Sequence, residues 1–430
     1  MSYRSYLNAL TSESGASLRA LLFDGVTGLG TLPLMLESLH ELAAEQHKLG
    51  VIFIDTGRLD PLEEEYGWEM VDELLQRIRG FLDGLLYSFP PLKMYAMHRV
   101  PGDNFCLIVF SSDPQHPVTF QQIAHVSTQL EEQLNRYILA HFSSSVIPFA
   151  RLFTGFSILE YNSSVRFERL AARAVNRAFS GATSQQERVR QMQVQQLQEI
   201  VNGNQIRVLF QPIFDLSDIR HVMGYEILSR GPEGTVFEGA DFMFSLAGNC
   251  GLLGRLENQC QLQILSALEG RPMKELIFVN LEPSFLENDQ YQKLALFQSP
   301  NLDPKNVVLE VTERIAITDF DVVLRSLESI RNQGFRIAVD DVGNGYASLQ
   351  SIAYLRPDFI KINDTMIHGI SHDFIKQEIV KTLCDLASRI SASVIAEGIE
   401  QEKDLKTLQE LNVGFGQGYL LKRPSTSLLE

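Results

Sequence analysis

At 430 residues the chain is long enough for two domains with cores of their own, and its composition (45% hydrophobic, 21% charged) is that of an ordinary globular protein. A formal net charge of −16 offers no basic footprint to a nucleic-acid polymer or an anionic membrane surface. The opening MSYRSYLNALTSESG lacks the apolar segment of a secretory signal, no apolar run is long enough to span a bilayer, and Cys106, Cys250, Cys260 and Cys384 follow no metal or disulfide spacing, so buried thiols in a reducing cytoplasm are expected.

The first domain is expected over residues 16–182. It opens with FDGVTGLGT, where Gly25, Gly28 and Gly30 permit tight turns, followed by an apolar strand, VIFID, at 51–55. An acidic stretch then carries Met70, Leu74, Leu75, Ile78 and Leu82 at helical spacing. Two strands, KMYAMHRV and NFCLIVF, are joined by Pro101-Gly102-Asp103, which is hairpin turn chemistry. RLFTGFSILE reads as a further strand and FERLAARAVNRAF as a closing helix, giving an α+β layer with a mainly antiparallel sheet. Residues 183–203 include a Gln-rich stretch with Val194, Leu197 and Val201 at helical spacing, which reads as a connecting helix. From 204 to 430, strands alternate with amphipathic helices such as FMFSLAGNCGLLGRLENQCQLQILSALEG and FDVVLRSLESIRNQ. That alternation fits a closed (β/α)8 barrel of parallel strands, and nucleotide-fold glycine fingerprints are absent.

Within the second domain, one strand after another ends in a polar residue: Glu226, Asn280, Glu310, Asp340 and Asp341, Lys361, Glu397, Gln417. Closing the barrel would bring these to one rim. Taken singly, Asn280 reads as a turn or cap residue, Lys361 as half of a salt bridge, and Asp340-Asp341 as a helix cap. Taken together, five acids on one rim would repel one another or bind protons unless cations joined them. An all-oxygen donor set without His or Cys suits Mg2+ or Mn2+ and argues against zinc.

These residues, in this order, resemble the EAL family of cyclic di-GMP phosphodiesterases, from Phe210-Gln211-Pro212 to Gly418-Tyr419. The eponymous tripeptide stands here as Glu226-Ile227-Leu228, followed by Asn280 in FVNLE, Glu310 in LEVTER, the DDVGNGYASL loop, Lys361 in IKIN, Glu397 in AEGIE and Gln417 in GQGY. The resemblance implies hydrolysis of cyclic di-GMP to linear pGpG at a two-metal site, by a homodimer. By resemblance, Glu226, Asn280, Glu310 and Asp340 would ligate a first metal and Asp341 a second, while Glu397 would fix the arrangement of metal and water. Lys361 would hold or deprotonate the attacking water, and its protonated form should be disfavoured beside two dications. Gln211, Arg230 and Gln417 would contact substrate or site loops, with Glu313 and Glu400 in supporting positions behind the ligands. Val342, Asn344 and Asn363 depart from the family's usual Phe, Thr and Asp, which touches rate and regulation rather than the ligand set.

Residues from about 20 to 180 resemble, less closely, a GGDEF diguanylate cyclase domain: VTGLGT, Asp55 after VIFI, Asp72, and Pro101-Gly102-Asp103-Asn104-Phe105 at the signature hairpin. Pro101 takes the place of the first signature glycine, Asn104 that of the second acid, and Glu63 that of a guanine-reading Asn; Leu92 and Tyr95 stand at the ends of the missing RxxD pattern. Cyclase activity is therefore not expected. Two readings stay open for this domain, a regulatory GTP held through Asp55 and Asp103, or a scaffold. A rival reading of the whole chain is a receptor that binds cyclic di-GMP without cleaving it and signals through a protein partner. The full acidic set with Lys361 favours the enzyme; the changed loop in the 340s favours the receptor.

Overall fold

The computed structural model describes residues 22–429 apart from 58, 86–87, 100–102, 144–145, 271–273, 313–319, 344–351 and 353. Glu313, Asn344, Pro101 and Gly102 lie outside the described residues. Two compact units emerge, one running to Gln196 with Asp241–Leu246, the other comprising Leu197–Ala240 and Ala247–Glu430.

The first unit follows the order α1 (Leu32–Gln46), β1 (Lys48–Asp55), α2 (Asp60–Tyr66), α3 (Trp68–Leu85), β2 (Leu92–Arg99), β3 (Asn104–Ser111), α4 (Phe120–His141), β4 (Phe153–Glu160) and α5 (Phe167–Asn202), whose last turn from Leu197 belongs to the second unit. Its four strands form one sheet, β2-β3-β1-β4, antiparallel at every pairing. Both faces are covered, which explains why β1 reads as an unbroken apolar run. Ile52 and Ile54 pack with Leu74, Leu75 and Ile78 of α3, whereas Leu49, Val51 and Phe53 pack with α1 and α5. The closing helix and the Gln-rich stretch were expected as separate helices, but they form the single 36-residue α5. Gly181 is the one glycine between them, and a lone glycine lowers helix stability without ending the helix.

The second unit is a closed eight-stranded barrel in the order β10-β11-β12-β5-β6-β7-β8-β9. Its strands are β5 (Arg207–Asp215), β6 (Asp218–Arg230), β7 (Leu276–Asn280), β8 (Val307–Thr312), β9 (Arg336–Val342), β10 (Phe359–Ile362), β11 (Ser393–Ala396) and β12 (Phe415–Gly416). The chain also forms α6 (Ala240–Asn249), whose Asp241–Leu246 belong to the first unit, and α7 (Leu253–Leu268), α8 (Ala295–Gln298), α9 (Phe320–Asn332), α10 (Asp364–Ile367), α11 (Phe374–Ile390) and α12 (Glu402–Glu410) of the second. The expectation of parallel strands throughout needs correction, because β5 runs antiparallel to both β6 and β12. Only Leu216 and Ser217 separate the paired ends of β5 and β6, too short a link for a parallel crossover. The long helical stretch expected after residue 240 is likewise two helices, α6 and α7, broken where Gly251 takes φ +72°. Among the described residues no helix is long and apolar enough to cross a membrane.

The barrel interior holds an apolar layer: Ile213, Phe278, Val308, Ala338, Phe359 and Ile395, all buried, with Phe415 packed against them. Phe278 and Phe359 meet edge to face at 5.1 Å, a contact contributing about 0.5–1.5 kcal/mol beyond the area it buries. This layer floors the site described below.

In the first unit, β4 meets α5 backbone to backbone. A Cβ on Gly155 would stand 2.1 Å from the Ala178 carbonyl oxygen and 2.3 Å from the Ala182 nitrogen, whereas one on Gly181 would make only ordinary contacts. Gly155→Ala should therefore lower stability by at least about 2 kcal/mol, while Gly181→Ala, mid-helix, should be neutral or stabilise by about 0.5–1 kcal/mol. Paired thermal melts followed by circular dichroism check this; a Gly155→Ala protein that melts with the parent would refute the close approach.

Candidate active site

Along a strand, alternate residues share a face. Two residues beyond each member of the apolar layer, the parallel strands therefore present a second inward position nearer the rim. Val308 is followed by Glu310, Ala338 by Asp340, Phe359 by Lys361, Ile395 by Glu397 and Phe415 by Gln417. Phe278 is followed in the same way by Asn280, and Glu226 sits two residues past Gly224. Reversed β5 keeps the rule in mirror order, with Gln211 two residues before Ile213 and opposite Glu226 in the pairing register. Asn280 pairs with Glu310, and Thr312 with Asp340.

Four of these acids close on one ammonium. Lys361 Nζ lies 2.8 Å from Glu310 Oε1, 2.8 Å from Glu397 Oε1, 3.2 Å from Asp340 Oδ1 and 3.3 Å from Glu226 Oε1, with the lysine side chain fully buried. An ammonium has three donors and so cannot serve four carboxylates in line. These are ion-pair contacts off the hydrogen-bond direction, and both Glu310 oxygens and Nζ are buried without a hydrogen-bond partner among the described residues. The Gln417 amide nitrogen donates to Glu226 Oε2 and, at 3.0 Å, to Glu397 Oε1.

Asp341 joins them through a β-bulge. Between β9 and β10 the register advances from Val339↔Ile360 to Val342↔Ile362, so Asp340 and Asp341 together oppose Lys361. Asp341 takes φ +59°, a left-handed conformation that Asp tolerates better than most residues. In a regular strand consecutive side chains would point to opposite faces. Here oxygens of Asp340, Asp341 and Glu397 fall within 4.8 Å of one another, as do those of Glu226, Glu310 and Asp340. Two oxygen clusters thus share Asp340. Hard, all-oxygen donors fit divalent cations in both, and in the first cluster the buried Glu310 oxygens lack a hydrogen-bond donor.

The electrostatics agree. Burial drives Glu310 and Glu397 well above the usual carboxylate range; Lys361 opposes this, and the neighbouring acids reinforce it. Burial lifts Asp340 to about 6 against the pull of Lys361. Glu226 goes down, because Lys361 and the Gln417 amide together outweigh its burial. For Lys361 the protein groups alone act in two directions: burial works against the charge, yet Asp340, Glu226, Glu310 and Glu397 hold the ammonium well above the lysine range.

The remaining predicted residues lie further out. Asn280 is exposed at the end of β7, and Arg230, at the end of β6, donates to the Ser229 carbonyl while its charge helps depress Glu226. Glu400 is half-exposed, outside the cluster, with His368 Nε2 3.8 Å away. Val342 is wholly buried at the end of β9. Sequence reasoning noticed Asn363 only as a departure; its Nδ2 in fact donates to Asp341 Oδ1 at 2.7 Å.

In the first unit, the hairpin that bears Asp103 and Asn104 is bonded to the end of β1. Asn104 Oδ1 accepts from Thr56 N at 3.1 Å and from Thr56 Oγ1 at 3.3 Å, and Thr56 Oγ1 also donates to the Asp103 carbonyl at 2.9 Å. Asp55 accepts from Gly57 N at 3.0 Å. The amide that replaces the second signature acid is thus engaged by backbone rather than presented as an anionic ligand.

Because Glu310 is buried with an ion-pair contact to Lys361 and no well-directed hydrogen bond on either oxygen, Glu310→Gln supplies an amide that can donate to the surrounding carboxylates. In chelator the variant should gain stability on the order of 1–3 kcal/mol, and it should lose any rise in melting temperature produced by Mn2+ in the parent. A variant less stable in chelator, or one still raised by Mn2+, would refute this account of Glu310.

A model of the EAL domain matches residues 194–424, and one of the diguanylate cyclase GGDEF domain matches residues 21–174. The chain is 32% identical over 207 residues to the probable cyclic di-GMP phosphodiesterase PdeA of Escherichia coli K12, covering 47% of this chain and 28% of that protein. It is 25% identical over 409 residues to the bifunctional diguanylate cyclase/cyclic di-GMP phosphodiesterase MucR of Pseudomonas aeruginosa, covering 90% of this chain and 57% of that one. The chain thus spans about half or less of the length of these curated relatives. The Xanthomonas citri FimX EAL domain, solved in complex with c-diGMP, shares the barrel fold with a TM-score of 0.50 at 16% identity, covering 57% of this chain and 99% of that one. The chain belongs to the EAL domain family, with a GGDEF domain preceding the EAL barrel.

Proposed function

We propose that the barrel is a metal-dependent phosphodiesterase that hydrolyses cyclic di-GMP to linear pGpG. The observation that carries this reading is the convergence of Glu226, Glu310, Asp340 and Glu397 on Lys361 Nζ in a buried rim. Glu226, Asn280, Glu310 and Asp340 would hold one cation, and Asp341 with Asp340 and Glu397 a second; oxygen donors favour Mg2+ or Mn2+. Two such ions supply a nucleophile at neutral pH and shield the phosphate charge. Lys361 holds the attacking water through Nζ, and Glu397 orients that water beside it. Gln417 keeps Glu226 and Glu397 in place through its amide and, with Gln211 and Arg230, contacts the substrate; the guanidinium of Arg230 suits an anionic phosphodiester. We give Glu400 and Glu313 supporting parts behind the ligands.

In this reading the N-terminal domain makes no cyclic di-GMP. Asn104 is neutral and tied to Thr56, which removes one of the two acids a cyclase needs at that hairpin. We favour a scaffold over a GTP-binding regulator for it. A cytoplasmic setting suits the four free thiols.

The protein is proposed to act as a homodimer through α11, where Phe374, Ile375 and Ile379 are 71%, 69% and 42% exposed. Ile375 and Ile379 are one helical turn apart, an apolar face that a second copy could cover. Sedimentation should show a dimer for the parent and a monomer for Ile375→Asp; a monomeric parent refutes the dimer.

The function is tested by incubating purified protein with cyclic di-GMP and Mg2+ or Mn2+, beside Glu226→Ala and a GTP-only control. We expect pGpG from the parent, a loss of at least about a hundredfold in Glu226→Ala, and no cyclic di-GMP from GTP. Tight binding without product in either metal would overturn the enzyme in favour of a receptor.

A further inference from the structure

Asn363 stands directly after β10 and is fixed at three points. Its backbone N–H donates to the Val342 carbonyl at 3.2 Å. Its Oδ1 accepts from Thr365 N at 2.9 Å, capping α10. Its Nδ2 donates to Asp341 Oδ1 at 2.7 Å. The amide cannot flip without losing both side-chain bonds, since oxygen would then face the carboxylate and nitrogen would face the Thr365 N–H. Asp341 is the bulged, left-handed residue whose backbone gives its carboxylate no regular strand direction. A neutral donor therefore holds the one acid of the rim that lies outside the regular strand geometry.

We propose that Asn363 is a positioning residue that sets the affinity of the cation position formed by Asp340, Asp341 and Glu397, and that its amide keeps this position the weaker of the two. This rests on the reading of the rim as a two-cation site. A carboxylate at 363 would keep the cap, because Asp also accepts from a backbone N–H. It would also set two anions at hydrogen-bond distance, a repulsion that a bound cation relieves. The amide instead holds Asp341 in one orientation, with or without a cation, and adds no charge of its own. Partners standing behind ligands typically shift metal affinity by about 10–100-fold.

The decisive experiment titrates the chelator-treated full chain with Mn2+ alone, reading free ion by electron paramagnetic resonance, for the parent, Asn363→Asp and Asn363→Ser. Serine retains a capping oxygen but is too short to reach Asp341, so neither variant abolishes the cap. The expected result is two classes of site in the parent. Asn363→Asp should tighten the weaker class about tenfold or more and Asn363→Ser should weaken it about tenfold, with the stronger class changed less than about twofold in both. A weaker class unchanged or loosened in Asn363→Asp overturns the inference and leaves the two-cation site standing. If that variant does not fold, an unchanged weaker class in Asn363→Ser overturns it equally. A parent that binds no Mn2+ overturns the metal-site reading itself, a distinguishable failure.

Discussion

The barrel depends on forcing several carboxylates and one ammonium into a space from which water is largely excluded. Glu310 and Lys361 are among the most buried polar residues of the chain, at 1% and 0% exposure. Placing a charge there is expensive unless it is paired, and each pairing with Lys361 leaves other acids uncompensated. Neutralising the rim with protein groups alone would need further cations, and beyond Lys361 the charge of Arg230 acts on Glu226. The chain lives with the imbalance by raising carboxylate pKa values, an arrangement typical of sites whose stability is surrendered to a ligand. The apolar packing beneath and around the rim offsets that cost.

That offset has a definite geometry. Period-two alternation puts Phe278, Val308, Ala338, Phe359 and Ile395 on the same inward faces as the polar residues two positions on. The floor excludes water from below and the polar ring faces the opening, so a single pattern repeated on successive strands makes both. The reversal of β5 does not disturb this, since a strand run backwards still alternates; it only means that Gln211 precedes its floor residue instead of following it. The bulge in β9 is the one local break in alternation at the rim, and it delivers a second aspartate where a regular strand would deliver one.

Much of this was legible in the sequence because it is written in local patterns. Strand-terminal acids, the switch from period two to helical spacing, and the hairpin at residues 92–111 all depend on near neighbours. What escaped depends on partners far away in the chain. The antiparallel course of β5 follows from a two-residue link, a local exception inside an otherwise parallel barrel pattern. The merging of two expected helices into α5 depends on whether one glycine is enough to interrupt, which helix packing decides. The bonds from Gln417 to Glu226 and Glu397 span 191 and 20 residues, and no spacing rule reaches across them. Nor could composition reveal that Lys361 would face four acids at once, the fact that holds its ammonium charged when only protein groups surround it.

The two domains show opposite fates for the same kind of residue. In the barrel, Glu310 has no hydrogen-bond donor on either oxygen among the described residues and stays available to a cation, whereas Glu226 and Glu397 share the one Gln417 amide. In the N-terminal sheet, the corresponding hairpin position holds an amide, and backbone and hydroxyl donors of Thr56 use its oxygen. Satisfying a polar group stabilises the fold and removes the reason for a ligand to bind; leaving it unsatisfied does the reverse. The N-terminal hairpin uses its amide oxygen within the fold, while the barrel rim leaves the Glu310 oxygens without a hydrogen-bond donor. Asp341 lies between these limits, an acid partly satisfied by Asn363, which is why the contest between structure and ligand can be read most directly at that pair.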